Sequence, residues 1–225
     1  MTTQRKIKHL LASAGTGAEF RYLPQLAVPF DFSRAFLVTE KADGSTMQAQ
    51  DGLPYKRYDR FTKGDPRKFT ASEEERYELR ACTRDNPAER WYLAAFDAHQ
   101  EAFARSARSA PGLWIYFEAL GAKISARYPD LAPTVRVFDV ARAGSFLPFE
   151  RAIEEAGAAG LPLVHYTLTR FVGLPDLFWS LEHQQSDLVH PTTFRPYSSE
   201  GWVLRQDDLI AKIRVADLAR IKGRS

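Results

Sequence analysis

Ala35-Phe36-Leu37-Val38-Thr39-Glu40-Lys41-Ala42-Asp43-Gly44-Ser45-Thr46 holds the sharpest local pattern in the chain. Its first half, AFLVT (35–39), is an apolar, partly β-branched run of strand length, which predicts a buried strand. The polar EKADGST follows, and Gly44 permits a tight bend or a close backbone approach. A second short extended segment is expected over Met47–Gln50. Lys41 leaves the end of the first strand, so a rigid element holds its amine. A lysine amine is a nucleophile only when neutral, and burial or a neighbouring cation favours that form.

At the far end, AKIR places Lys212 and Arg214 two residues apart, on one face of a strand. Two fixed cations there suit a triphosphate or a departing pyrophosphate. Glu200 opens the preceding strand, EGWVLR (200–205). Glu118 lies inside LWIYFEAL (113–120), the most hydrophobic strand expected, where a buried acid needs a partner or a metal.

Between these segments, strands alternate irregularly with single helices. A short helix is expected over Thr3–Leu11, and a turn at Gly52-Leu53-Pro54 precedes YKRYDRF, with KGDPRK as a loop. A helix is expected through EEERYEL, capped by Thr70 or Ser72, and a longer one over Ala88–Ala107 with Trp91, Ala95, His99 and Phe103 on one stripe. TVRVFDVA (134–141) and LPLVHYTLTRFV read as strands. Helices are expected from near Pro148 through Ala158 and over Leu174–His183. Gln184–Ser199 reads as a polar loop over or beside a site, and DLIAKIR (208–214) as a last strand before a helical tail. The order lacks the βαβ alternation of a doubly wound sheet. The expected class is α+β: two packed, largely antiparallel sheets with flanking helices, forming one domain with a cleft between the sheets.

Composition bounds the function. The 225 residues are 44% hydrophobic and 12% aromatic, enough for a core, so a disordered or fibrous chain is excluded. The single cysteine, Cys82, excludes an internal disulfide framework and a multi-cysteine zinc site. No apolar run reaches signal-peptide or membrane-spanning length, and an intracellular location is expected. Net charge is +3, but Asp51–Thr70 carries six basic residues against three acidic ones, while Glu73–Glu101 carries eight acids against four arginines. That asymmetry suggests an electropositive face.

In order and type, six of these elements resemble the motifs of the covalent nucleotidyltransferase superfamily: ATP-dependent RNA and DNA ligases, with mRNA capping enzymes as cousins. Lys41-Ala42-Asp43-Gly44 is similar to the K-x-D-G motif, whose lysine forms a phosphoramidate with the nucleotide. YKRYDRFTKG stands where such enzymes carry a sugar- and phosphate-contacting arginine; Arg57, Arg60 and Lys63 could each fill that place, with Arg57 slightly favoured. Glu118 resembles the ribose-holding glutamate and Phe138, in Phe138-Asp139-Val140, the purine-stacking aromatic. Glu200-Gly201-Trp202-Val203 is similar to E-G-x-V, with the glutamate at the metal. Lys212-Ile213-Arg214 occupies the place of K-x-K, with arginine's planar fork replacing the second ammonium.

The resemblance implies an ATP-grasp-like nucleotidyltransferase domain of the ligase type over residues 1–225. It implies a lysyl-AMP intermediate on Lys41, with ATP and Mg²⁺ or Mn²⁺ as cofactors. Glu40 would read the base or brace the loop. The AMP would pass to an RNA 5′-phosphate end, which a 3′-hydroxyl then seals. Eleven residues follow Arg214, too few for the usual C-terminal OB domain, which points to an RNA ligase of minimal design, with room for a protein partner supplying RNA-binding surface. The alternatives are a GTP-dependent capping-type transferase, an adenylyltransferase with another acceptor, and a non-catalytic RNA-binding module.

Overall fold

The computed structural model describes residues 7–15, 19–62 and 64–221. In chain order its main elements are β1 (Lys8–His9), β2 (Leu11–Ala14), β3 (Arg21–Leu26), β4 (Phe36–Lys41), β5 (Ser45–Gln50), β6 (Leu53–Asp59), α1 (Glu73–Arg76), β7 (Tyr77–Ala81), α2 (Arg90–Asp97) and α3 (Gln100–Ser109). There follow β8 (Leu113–Leu120), β9 (Thr134–Arg142), β10 (Ser145–Phe146), α4 (Phe149–Ala158), β11 (Tyr166–Thr169), α5 (Leu174–Glu182), β12 (Gly201–Gln206), β13 (Leu209–Arg214) and α6 (Val215–Ile221). The class is α+β, with three sheets among the described residues rather than the two expected. No helix is long and apolar enough to cross a membrane among the described residues.

The chain divides into two compact units, crossing between them after Asp43 and again after Leu163. The unit from Gly44 to Leu163 is built on an antiparallel six-stranded sheet, ordered β10-β9-β8-β5-β6-β7. Alternation along β8 sends Ile115, Phe117 and Ala119 to one face, where they pack with Phe96, Phe103 and Ala156 from α2, α3 and α4. Trp114 and Tyr116 point the other way, into a smaller cluster with Ala141. Both faces of β8 are therefore covered, which is why its sequence is a continuous hydrophobic run.

The other unit joins the described residues up to Asp43 to those from Val164 onward. Its five-stranded sheet is ordered β1-β13-β12-β4-β11, antiparallel except where β1 runs parallel to β13. Phe36, Val38, Leu204, Ala211 and Ile213 face a core shared with Leu177 and Leu181 of α5, Leu218 of α6, and Leu11 and Tyr22 of the β2–β3 ribbon.

Several local expectations change. Thr3–Lys6 lies outside the described residues, and the remainder of the expected N-terminal helix is extended. There, the Leu10 N–H donates to the Lys212 carbonyl at 2.8 Å. EEERYEL gives only one helical turn before β7, because Tyr77 pairs with Asp59 on β6, which is itself a strand and not simply a post-turn segment. The long helix breaks at Ala98–His99, where the His99 ring bonds Thr134 Oγ1 at 2.9 Å. LPLVHYTLTRFV keeps only Tyr166–Thr169 as strand, and KGDPRK contains a 3₁₀ turn capped by Asp65. Strands β8, β9, β12 and β13 and helices α4, α5 and α6 stand within a few residues of expectation.

Candidate active site

Strands β4, β12 and β13 hydrogen-bond side by side, and their register builds two rows. Lys41, Gly201 and Arg214 form one; Thr39, Val203 and Lys212 form the next. Directly opposed residues share a face, so Lys41, Lys212 and Arg214 leave the same side of the sheet, opposite Val38, Leu204 and Ile213 in the core. Glu200, immediately before β12, accepts a hydrogen bond from the Lys41 ammonium through Oε2. The expected nucleophile thus meets the expected metal carboxylate directly. Gly201 makes the row possible: a Cβ there would fall 2.1 Å from the Ile213 carbonyl oxygen and 2.7 Å from Arg214 Cα.

The two C-terminal cations differ. Lys212 has its amine pushed to lower pKa by burial, then by the positive charges of Lys41 and Arg214, against the pull of Glu200 and Asp217. Arg214 is gripped by Asp217, whose Oδ1 accepts from Nη2 at 2.9 Å and Nε at 3.2 Å while Oδ2 accepts from the Arg214 backbone N–H at 2.9 Å. Asp217 is 1% exposed. Burial pushes its carboxyl up, but hydrogen bonds from His9 and Arg214 outweigh that and hold it down at about 2. His9 lies 3.5 Å from Asp217, and its Nδ1 meets the Tyr22 hydroxyl at 2.9 Å. An ammonium could not make Asp217's side-on contact, which accounts physically for arginine in this place.

Glu40 falls on the opposite side of its strand from Lys41 and is buried. Its N–H donates to the His165 carbonyl at 2.9 Å, and its Oε2 accepts from the Asp187 N–H at 3.1 Å. Burial dominates its titration; the Ser186 hydrogen bond opposes it and the Asp187 side chain adds to it, and the carboxyl is pushed up to about 7.

In the other unit, Glu118 stands between Thr46 on β5 and Arg136 on β9. Thr46 Oγ1 donates to Glu118 Oε2 at 3.1 Å. A bulge opposite Tyr116 and Phe117 leaves Phe138 as the extra residue, packed against the Trp114–Tyr116–Ala141 cluster. Arg57 lies on the same face by alternation along β6, its guanidinium over the Tyr77 ring at 4.1 Å. Arg60 lies beyond the strand end and is exposed; Lys63 lies outside the described residues. Of the two described candidates, Arg57 is thus the one aligned with Glu118 and Phe138. Gly44 is required where it stands: a Cβ would come within 2.4 Å of the Ala119 carbonyl oxygen.

The basic strip is less bare than its composition suggests. Lys56 covers the Tyr92 ring at 3.2 Å, Lys68 pairs with Asp59 at 3.0 Å, and Arg67 pairs with Asp65 at 2.7 Å. Asp217, His9, Tyr22 and Arg136 escaped the sequence reading. Arg136 alone carried a signal, because it sits two residues before Phe138 on an alternating strand.

Among the described residues, no three His, Cys, Asp or Glu side chains gather as a metal cage. The single carboxylate of Glu200 fits a hard divalent cation held largely by phosphate oxygens and water, as Mg²⁺ often is.

No protein-family model matches the sequence, and no curated protein matches it. Solved structures do. An apo RNA ligase from Naegleria gruberi gives a TM-score of 0.57 at 15% identity, covering 99% of this chain and 58% of that one. An archaeal ATP-dependent RNA ligase gives 0.54 at 15% identity, covering 95% of this chain and 48% of that one. The Naegleria gruberi enzyme with ATP and Mn gives 0.54 at 15% identity, covering 100% and 63%. The chain spans less than two thirds of the length of each of these three proteins. The likeness is one of fold: this α+β chain is built like these RNA ligases.

Proposed function

We propose that the protein is an ATP-dependent RNA ligase working through a lysyl-AMP intermediate on Lys41. The observation that carries this reading is the Lys41–Glu200 ion pair at the sheet face that also presents Lys212 and Arg214, within a fold like that of RNA ligases. In this reading residues 1–225 serve as one nucleotidyltransferase domain of ATP-grasp-like type.

The Lys41 amine attacks the α-phosphorus of ATP. A P–N bond forms, the bond from Pα to the bridging oxygen of the β-phosphate breaks, and pyrophosphate leaves. The ammonium must first lose a proton, and Glu200 Oε2, already hydrogen-bonded to it, is placed to take it. Lys212 offsets charge on the departing phosphates. Arg214 contributes its charge from a position fixed by Asp217. Mg²⁺ or Mn²⁺, when bound, would supply further positive charge to the phosphates, and Glu200 in its ionised form would be its protein ligand.

Glu118 contacts the ribose, Phe138 stacks on adenine and Arg57 contacts the nucleotide, roles supported by their common sheet face. Glu40 reads the base or braces the loop at Asp187. AMP then moves from Lys41 to an RNA 5′-phosphate, breaking the P–N bond. A 3′-hydroxyl attacks the RNA phosphorus and AMP departs.

Incubation with ATP or GTP labelled at the α-phosphate, with Mg²⁺ or Mn²⁺, tests the reading. An acid-labile, hydroxylamine-sensitive adduct is expected from ATP and is lost in Lys41→Ala. Equal labelling of that variant removes Lys41 as nucleophile, and preference for GTP moves the protein to the capping-type alternative.

A further inference from the structure

The polar stretch before Glu200 forms a narrow arm. Ser186 N–H donates to the Tyr197 carbonyl at 3.1 Å, Tyr197 N–H to the Leu188 carbonyl at 2.9 Å, and His190 N–H to the Arg195 carbonyl at 2.9 Å. Val189 and Pro196 face each other as an antiparallel bridge. The root is packed, with Leu188 at 5% and Tyr197 at 8% exposure. The tip is ordered by His190, whose Nδ1 accepts from the Thr192 and Thr193 N–H groups at 3.2 and 3.3 Å.

Both roots touch the proposed site. The Asp187 N–H is bound to Glu40, the neighbour of Lys41, and the outgoing segment runs through Ser199 into Glu200, which holds the Lys41 ammonium. At the tip, Phe194 is 78% exposed and has φ +56°, a left-handed conformation that is a real outlier for a bulky residue. A phenyl ring both exposed and strained is poorly explained by packing, and observed strain is a warrant for asking about function. Arg195 is exposed beside it, and Leu188–Ser199 contains no acidic residue.

We propose that this arm binds the single-stranded RNA end, with Phe194 as a platform on which an unpaired base stacks and Arg195 as a phosphate contact. An exposed ring beside a cation, on a stretch without an acidic residue from Leu188 to Ser199, is the chemistry of single-strand binding.

The inference rests on the RNA-end reading above, and two separate readouts keep their failures apart. Binding is measured by fluorescence anisotropy with a labelled, 5′-phosphorylated single-stranded RNA oligonucleotide across a salt series. Adduct formation with labelled ATP is measured in parallel. Phe194→Ala is expected to weaken RNA binding about tenfold, since stacking contributes about 1–3 kcal/mol per base, while Phe194→Tyr retains affinity. Phe194→Gly relieves the backbone, so it should lose RNA affinity with no fall in Tm, which a structural role could not produce. Arg195→Ala should lower the salt slope by about one phosphate contact. All four variants should form the ATP adduct at the parental rate.

Unchanged RNA affinity in Phe194→Ala overturns the inference. So does an equal loss of adduct formation, which would move Phe194 to the nucleotide step. Dissociation of a parental dimer by Phe194→Ala in sedimentation, without loss of RNA affinity, would assign the arm to a second copy of the chain. A parental protein that forms no adduct removes the ligase reading alone.

Discussion

The Lys41 ammonium donates to the carboxylate of Glu200, a residue 159 positions further along the chain. One strand register aligns Lys41 with Gly201 and so brings the carboxylate just before Gly201 to the amine. In the proposed reaction Glu200 would serve twice, as partner of the lysine and as an oxygen ligand to the metal. Glu200→Ala should lower the adduct-forming rate on the order of 100-fold, the scale of removing one preorganised charge from a reaction site. Glu200→Gln keeps the shape and should be nearly as impaired. The check is single-turnover adenylylation over a Mn²⁺ series; parental rates in either variant would remove Glu200 from the site.

Gly201→Ala tests the row itself. The new methyl group meets backbone rather than a flexible side chain, so β12 and β13 must separate locally. Overpacking of this kind costs about 1–3 kcal/mol or more, and at about 2–4 °C per kcal/mol the Tm should fall by several degrees. Adduct formation should fall with it, because Lys41 and Arg214 flank the glycine. Parental thermal stability in this variant would show that the strands do not pack as closely as described.

Asp217 links the Arg214 grip to acid stability. Its carboxyl is held at about 2 in the folded protein against an ordinary 3.8. A depressed acid stabilises the fold above its unfolded pKa, and that contribution is lost as pH falls through the folded one. The window is therefore about pH 4 down to about pH 2, and the contribution is about 2 kcal/mol at about 1.4 kcal/mol per unit. Asp217→Asn should lose that stability at neutral pH and flatten the acid limb of a denaturant-midpoint series. An unchanged slope between pH 4 and 2 would show that the carboxylate does not carry it.

Glu40 has the opposite sign. With its carboxyl pushed up from 4.5 to about 7, the folded state retains a proton that the unfolded chain gives up. Stability is full below about pH 4.5 and declines as pH rises through about 7. Glu40→Gln should remove that decline and be the more stable protein at pH 8. Chemical denaturation at pH 5 and pH 8 reads it directly; equal pH dependence in both proteins would contradict the burial that raises the carboxyl.

Periodicity and local chemistry carried part of this structure in the sequence. AFLVT, LWIYFEAL and EGWVLR are strands because their apolar and β-branched content suits a pleated, covered surface. The same reading failed for EEERYEL, whose helix-forming glutamates give one turn before Tyr77 pairs with Asp59. It also failed for the expected helix near the N-terminus, where Lys8–His9 runs beside β13. In both places a hydrogen-bonding partner distant in sequence outweighs a local propensity worth only tenths of a kcal/mol per residue.

The sequence by itself determined the chemical inventory: a lysine at a strand end, glycines at 44 and 201, and a lysine and an arginine two apart on a final strand. Tertiary structure decided how each is used. It paired Lys41 with Glu200, left Lys212 as a partly desolvated cation, and gave Arg214 to the buried Asp217 with His9 behind it. It also chose Arg57 rather than the exposed Arg60 to share a sheet face with Glu118. Spacing along a strand sets which face a side chain takes, but burial and charge pairing arise only when strands from opposite ends of the chain come into register.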